Sequence, residues 1–219
     1  MSTSEGAQLV QSARATGQNV TAETCPQYLL VTADEMNRRG PYAKVQPPLR
    51  SAHHIQALWK GLRNGTIDIV GSDHAPCTKE DKELGYADIF AAPSGMPGVE
   101  TMLPLMLTKV NEGELPLEKI AATMSESVSR IFGLYPEKGT IEIGSDADLT
   151  VIDLHCERTI KAEDLHTKCP ESVIYDGWKA KGIPTATIVR GNLVMWEGEN
   201  VGKAGNGKFV RPVSGNLIS

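Results

Sequence analysis

Helical and extended segments alternate through the first 71 residues, and the length of chain between the extended ones limits how they can pair. Glu5 to Arg14 has helical spacing, with Ser2, Thr3 or Ser4 as cap, Leu9, Val10 and Ala13 as apolar face, and Gly17 as stop. Asn19 to Thr24 (NVTAET) alternates like a strand and runs into Cys25-Pro26. His53 to Asn64 (HHIQALWKGLRN) is helical again and ends at Gly65, and Thr66 to Gly71 is the next strand. Residues 25–65 are far too long for a hairpin turn and suit a helical crossover, so the two strands are expected to be parallel neighbours. The helix between them is expected to pack on their outer face through Ile55, Leu58 and Trp59.

The second strand ends unusually, as GTIDIVGSDHAP: an acid and a histidine stand together at its tip, with Pro76 closing the turn. A buried strand has no use for Asp73-His74, whereas the carboxyl ends of parallel strands are where α/β enzymes place their chemistry. Taken alone, Asp73 there reads first as a capping or turn aspartate, and it also suits a metal ligand, a proton shuttle or both. A loop rich in glycine and proline follows over residues 77–98 and contains APSGMPG. Two helical segments come next, roughly Val99–Glu112 and Leu117–Phe132, the second stopped by Gly133.

At Lys138-Gly139-Thr140 the pattern changes to alternating, turn-punctuated sequence in KGTIEIGSDADLTVIDL and again in TATIVRGNLVMWEGE. Thr140–Ile143, Leu149–Asp153 and Thr185–Arg190 are expected to share one sheet, separate from the first two strands. The chain thus divides into an α/β part over residues 1–137, a β segment over 138–201 and a tail over 202–219 that wraps a neighbour or frays.

A net charge of -5 argues against a nucleic-acid partner and an anionic membrane surface, both of which need a basic face. No run approaches the roughly 18 apolar residues of a membrane span, and MSTSEGAQLVQ lacks the basic and apolar regions of a signal peptide. The four cysteines, Cys25, Cys77, Cys156 and Cys169, form no CxxC pair, which suits a reduced, cytoplasmic chain. Cys25 and Cys77 are expected to be small buried fillers.

Five stretches in this order, TAETCPQYL, KVQPPLR, GTIDIVGSDHAP, APSGMPGVET and KGTIEIGSDADLTVIDL, closely resemble the cyclic amidohydrolases. That group holds dihydropyrimidinase (hydantoinase), dihydroorotase and allantoinase, and the resemblance covers essentially the whole chain. It implies the C-terminal part of a metal-dependent (β/α)8 barrel, its last two strands and helices, followed by the C-terminal half of a small β-sandwich. It also implies that Asp73 is the metal-bound carboxylate and proton shuttle, with a divalent metal, zinc, in a binuclear site of the full-length enzyme. The family's other ligands, a His-x-His pair, a carboxylated lysine and two single histidines, have no counterpart here. The last of them would stand just before Met1. His53 and His54 read as surface or cap residues, and His155 and His166 as solvated ones.

By the same resemblance Gln46, before Pro47-Pro48, and Ser94, in APSGMPG, are candidates for substrate contact, with a rigid proline turn as the alternative at Gln46. Hydantoinases often carry Asn where Ser94 stands. His74 is a further substrate candidate or an outward turn residue, and Arg50 is expected to pair with an acid in the barrel wall. Gln27 stands where dihydroorotases and allantoinases usually carry His and favours the hydantoinase side, while SDHAP and PGVET look more like dihydroorotase or allantoinase. The implied reaction is metal-dependent hydrolysis of a cyclic amide C–N bond, in a dihydropyrimidine or hydantoin, with a small cyclic amide and a second copy of the chain as partners. This part of the enzyme is expected to be inactive alone, and a non-catalytic dihydropyrimidinase-like scaffold is the competing reading.

Overall fold

The computed structural model describes residues 1–212. Its elements in chain order are α1 (Ser4–Ala15), β1 (Glu23–Thr24), α2 (Pro26–Leu30), α3 (Glu35–Arg39), α4 (Ala52–Asn64), β2 (Ile69–Val70), α5 (Lys79–Glu83), α6 (Val99–Asn111), α7 (Leu117–Ala121), α8 (Ser127–Ile131), β3 (Leu149–Thr159), β4 (Lys179–Val189), β5 (Asn192–Trp196) and β6 (Glu199–Asn200). A π-helical turn, Ala122–Glu126, joins α7 to α8.

β1 and β2 are parallel neighbours, with Glu23 opposite Ile69 and Thr24 opposite Val70, as the crossover length requires. Each is shorter than its alternating pattern, because the ladder gives way at Ala22: its carbonyl still accepts the Asp68 amide at 2.9 Å, but its own amide goes to a side chain. Asp68 accepts the Ala22 amide at 2.7 Å and forms an ion pair with Arg14 of α1. α4 covers this pair with Leu58, Trp59 and Leu62 buried and Ile55 packed against the same core. The Trp59 indole N–H donates to the Leu29 carbonyl at 2.8 Å, so its one polar atom is satisfied inside the core.

α1 is capped by Thr3, whose hydroxyl accepts the Gly6 amide. Its expected apolar face is not buried: Leu9 is 71% exposed, and the helix touches the core through Ala7. The helix packed along α1 is α4.

The second sheet is antiparallel, in the order β3-β4-β5-β6. Leu149–Asp153 and Thr185–Val189 do pair in it, but Thr140–Ile143 is not a strand and lies outside the sheet. Lys138 reaches across this stretch to Asp146 and Asp148, and the Asp146 amide donates to the Glu137 carbonyl at 2.9 Å, so the segment closes on itself as a turn. Ile141 and Ile143 are left exposed by that turn.

The sheet rests on α6 through β4. The Lys181 amide donates to Thr108 Oγ1 at 2.9 Å, and Asn111 Nδ2 donates to the Lys181 carbonyl at 3.2 Å. Gly182, at φ +94°, has no room for a side chain, since a Cβ there would stand 2.7 Å from Leu107 Cβ. Among the described residues no helix is long and apolar enough to cross a membrane.

Candidate functional site at the strand tips

The two parallel strands deliver different groups to the same end of the α/β unit. β1 passes into Cys25, Gln27 and Tyr28, all buried, while β2 leads through Gly71 and Ser72 to Asp73, which is exposed. Asp73 holds a left-handed backbone, φ 49°, a region that non-glycine residues visit rarely and Asp more readily than most. Gln27 Nε2 donates to Asp73 Oδ2 at 3.1 Å. A buried amide thus fixes one carboxylate oxygen and leaves the other toward solvent.

The charge of Asp73 reaches further into the strand tip. Burial first, and Asp73 second, push the Cys25 thiol up to about 12. The same two causes, in the same order, raise the Tyr28 hydroxyl. Both groups therefore stay neutral, Cys25 as the small buried filler expected of it. Tyr28 O–H donates to the Pro47 carbonyl at 2.8 Å and ties down the loop that carries Gln46. Gln46 itself is exposed, beside a cis Gln46–Pro47 bond.

His74 is committed on one side. Its Nδ1 accepts the Gly98 and Val99 amides at 3.1 and 3.3 Å, so the imidazole caps the start of α6. Its backbone pairs with Met96, and the Ala75 amide donates to the Met96 carbonyl at 3.0 Å. Gly95 permits this pairing: at φ +133°, a Cβ would stand 2.5 Å from the Ala75 carbonyl oxygen. Ser94 is half-buried in the loop so held. The Asp73, His74 and Ser94 loops are therefore joined, and Gln46 lies on the neighbouring loop anchored by Tyr28.

Three expectations change. Arg50 forms no ion pair among the described residues, and its buried Nε has no hydrogen-bond partner. Its charge favours the ionised form of Tyr28, a lesser influence there than burial. Cys77 is half-buried rather than buried, because its loop lies at the surface. His166 is exposed but not simply solvated: its amide and Nδ1 bond the Glu100 carboxylate, Nδ1 at 2.8 Å, which raises its pKa through the hydrogen bond first and the charge second.

The expectation for His53 and His54 holds. By spacing alone, Glu5, His53 and His54 could surround a metal ion. However, His54 Nδ1 already accepts the Ser4 amide at 3.1 Å, so its remaining nitrogen carries the proton in the neutral ring. That is a helix cap, joining α1 to the start of α4.

Two lysines give no sign of their role in the sequence. Lys82 is fully buried and Lys44 half-buried, and both spend their ammonium groups on loop carbonyls. Lys82 lies in TKEDKEL, a run that reads as a solvated face, and only the adjacent glycine- and proline-rich loop hints that carbonyls wait nearby.

The sequence profile of the amidohydrolase family matches residues 9–194. This chain belongs to the amidohydrolase family. It is 44% identical over 214 residues to the L-hydantoinase of Paenarthrobacter aurescens, covering 96% of this chain and 46% of that one. It is 41% identical over 213 residues to an allantoinase of Rubrobacter xylanophilus, with 97% and 46% covered. A solved D-hydantoinase from Thermus sp. superposes at a TM-score of 0.93 with 32% identity, over 97% of this chain and 47% of that structure. The chain spans about half the length of these amidohydrolase relatives.

Amidohydrolases are generally metal-dependent, and the residues present test that requirement here. Asp73 offers a free carboxylate oxygen, but no group of three potential ligands among the described residues includes it. Four-coordinate catalytic zinc takes about three protein ligands and keeps one open position. Asp73 fits one ligand place, and the described residues do not complete the set.

Proposed function

We propose that the whole protein of which these residues form the C-terminal part opens a cyclic amide ring by hydrolysis, with Asp73 moving the proton. The observation that carries this reading is the exposed Asp73 carboxylate at the tip of β2, with Gln27 holding one of its oxygens at 3.1 Å. Ring opening adds water across the C–N bond: the carbonyl carbon gains a hydroxyl and the departing nitrogen gains a proton. Asp73 accepts the proton from the attacking water and returns it to that nitrogen, so the carboxylate is regenerated. A divalent ion, zinc by the family resemblance and paired with a second in the whole enzyme, would supply the Lewis acid and acidify the water. Because this chain offers one of its ligands, we infer that these residues alone are inactive.

The substrate we favour is a neutral dihydropyrimidine or hydantoin, supported by the 44% identity to an L-hydantoinase and by Gln27, a neutral donor, beside Asp73. The loops bearing Gln46, Ser94 and His74 would meet the ring, His74 through the nitrogen not used as a cap. The 41% identity to an allantoinase supports allantoin as the second substrate reading, and dihydroorotate is tested with it. We assign residues 1–137 to the last two strands and helices of the barrel, 138–201 to the sandwich and 202–219 to the tail, of which 213–219 lie outside the described residues. We also propose a cytoplasmic homo-oligomer, on the unpaired cysteines and the open sheet edges.

The test is ring opening of hydantoin, dihydrouracil, dihydroorotate and allantoin by a protein extended through the missing ligands and loaded with zinc, cobalt or manganese. Turnover of hydantoin or dihydrouracil is expected. An extended, metal-loaded protein inert toward all four would favour a non-catalytic scaffold instead.

A further inference from the structure

We propose that Lys82 is a positioning residue, whose buried ammonium holds the candidate substrate loops in one arrangement. This rests on the ring-opening reading only for its catalytic consequence. Lys82 is 0% exposed, and its Nζ donates to the carbonyls of Lys44 at 3.3 Å, Pro93 at 3.1 Å and Gly95 at 2.7 Å. An ammonium has three donors, and all three are spent. No carboxylate pairs with it among the described residues. Burying a lysine without a counter-charge is costly, and an apolar side chain of similar size would fill the same space. The carbonyls it gathers therefore matter more than the volume it fills.

Those carbonyls come from the loops already described. Lys44 stands two residues before Gln46, and Pro93 and Gly95 flank Ser94. The Gly95 amide donates to the same Lys44 carbonyl at 3.0 Å, closing the two loops on each other. Lys44 returns the contact, its own Nζ donating to the carbonyls of Ile89 and Ala92. From Gly95 the path continues through Met96 to His74 and Ala75, one and two residues beyond Asp73. One cation thus ties the loops of Gln46 and Ser94 to the strand tip that carries the carboxylate.

A lysine that merely supports the fold and a lysine that positions loops differ in what its loss loosens. The experiment is amide hydrogen exchange on the 219-residue chain, read at Gly95 and Ala75 and, for reference, at Leu58 and Leu62 in α4. In Lys82→Met, Gly95 and Ala75 should exchange faster by about tenfold or more, with α4 unchanged. In Lys82→Ala, added ethylammonium should restore slow exchange at both loop amides. Unchanged loop exchange, or equal acceleration of loop and α4, would overturn the proposal. Lys44→Met should loosen Gly95 more weakly and gives the same reading should Lys82→Met fail to fold. In the extended, metal-loaded protein, Lys82→Met should raise KM about tenfold and leave kcat within about threefold. An extended protein without ring-opening activity would sink the functional reading and leave the exchange result standing.

Discussion

The parallel pair β1–β2 contributes two residues per strand, yet it is surrounded by buried side chains: Cys25, Tyr28, Leu29, Leu58, Trp59, Leu62, Ile67 and Val70. In the antiparallel sheet, β3 and β4 run to eleven residues each; β4 buries Ala180, Ile183 and Ala186, but Val151 on β3 and Leu193 and Trp196 on β5 stay about half in water. Val151 and Trp196 both pair with Ala186, one from each side; Ala186 is buried, while the other two are about half exposed. Backbone pairing is thus scarce where the core is dense and plentiful where it is thin. Packing holds the strand tips that carry Asp73 and Gln27, and hydrogen bonds hold the outer sheet. A chemical site needs the first kind of support, because side-chain contacts fix atoms to fractions of an ångström.

The largest expected effect is at the tip itself. Asp73→Asn keeps the shape and tolerates the left-handed backbone, so the fold should persist while turnover by the extended, metal-loaded protein falls by about 10²–10⁴, the range for general acid–base groups. Steady-state kinetics with a matched melting curve check this. A loss of less than tenfold would remove Asp73 from the proton path.

Next comes the dense core. Trp59→Ala removes a buried ring and orphans the Leu29 carbonyl it bonds, and should destabilise the chain by about 3–5 kcal/mol. Denaturant titration measures it. A cost comparable to that of Trp196→Ala in the outer sheet would erase the contrast between the regions.

Much of the first region was legible because its constraints are local. Crossover length set the parallel pairing, the spacing of Ile55, Leu58 and Trp59 set the packed face of α4, and GSDHAP marked the tip. The second region was harder. Thr140–Ile143 alternates as a strand should, but Lys138 meets two aspartates eight and ten residues on, and that ion pairing makes a turn. Such a choice depends on contacts across a loop, which periodicity does not encode. The same holds for His74, which becomes a helix cap through amides 24 and 25 residues away, and for Lys82, whose partners are carbonyls and leave no mark in composition.

The thin region yields smaller effects. Trp196→Lys should leave the fold intact and weaken self-association about tenfold or more, read by sedimentation across micromolar concentrations. A wild-type chain that stays monomeric throughout would remove the oligomer proposal. Smallest is the Glu100–His166 pair between α6 and the connection to the sheet. Its histidine has a folded pKa above the unfolded 6.5, so its stabilisation is complete below that value and is lost as pH rises through the folded one. Melting curves of wild type and His166→Gln should differ at about pH 5 and converge by about pH 9. A gap that widens with pH would contradict the sign.

The central proposal is that Asp73 moves the proton in the whole protein and that this chain by itself does not hold the metal beside it. The most direct measurement is turnover of hydantoin by the 219-residue chain itself in the presence of zinc, cobalt or manganese, alongside Asp73→Asn. The expected result is no turnover above the Asp73→Asn background and only weak zinc binding, since an ion on one carboxylate keeps most of its water. Turnover by the wild-type chain that disappears in Asp73→Asn would show that these residues complete a site by themselves, and would contradict the account.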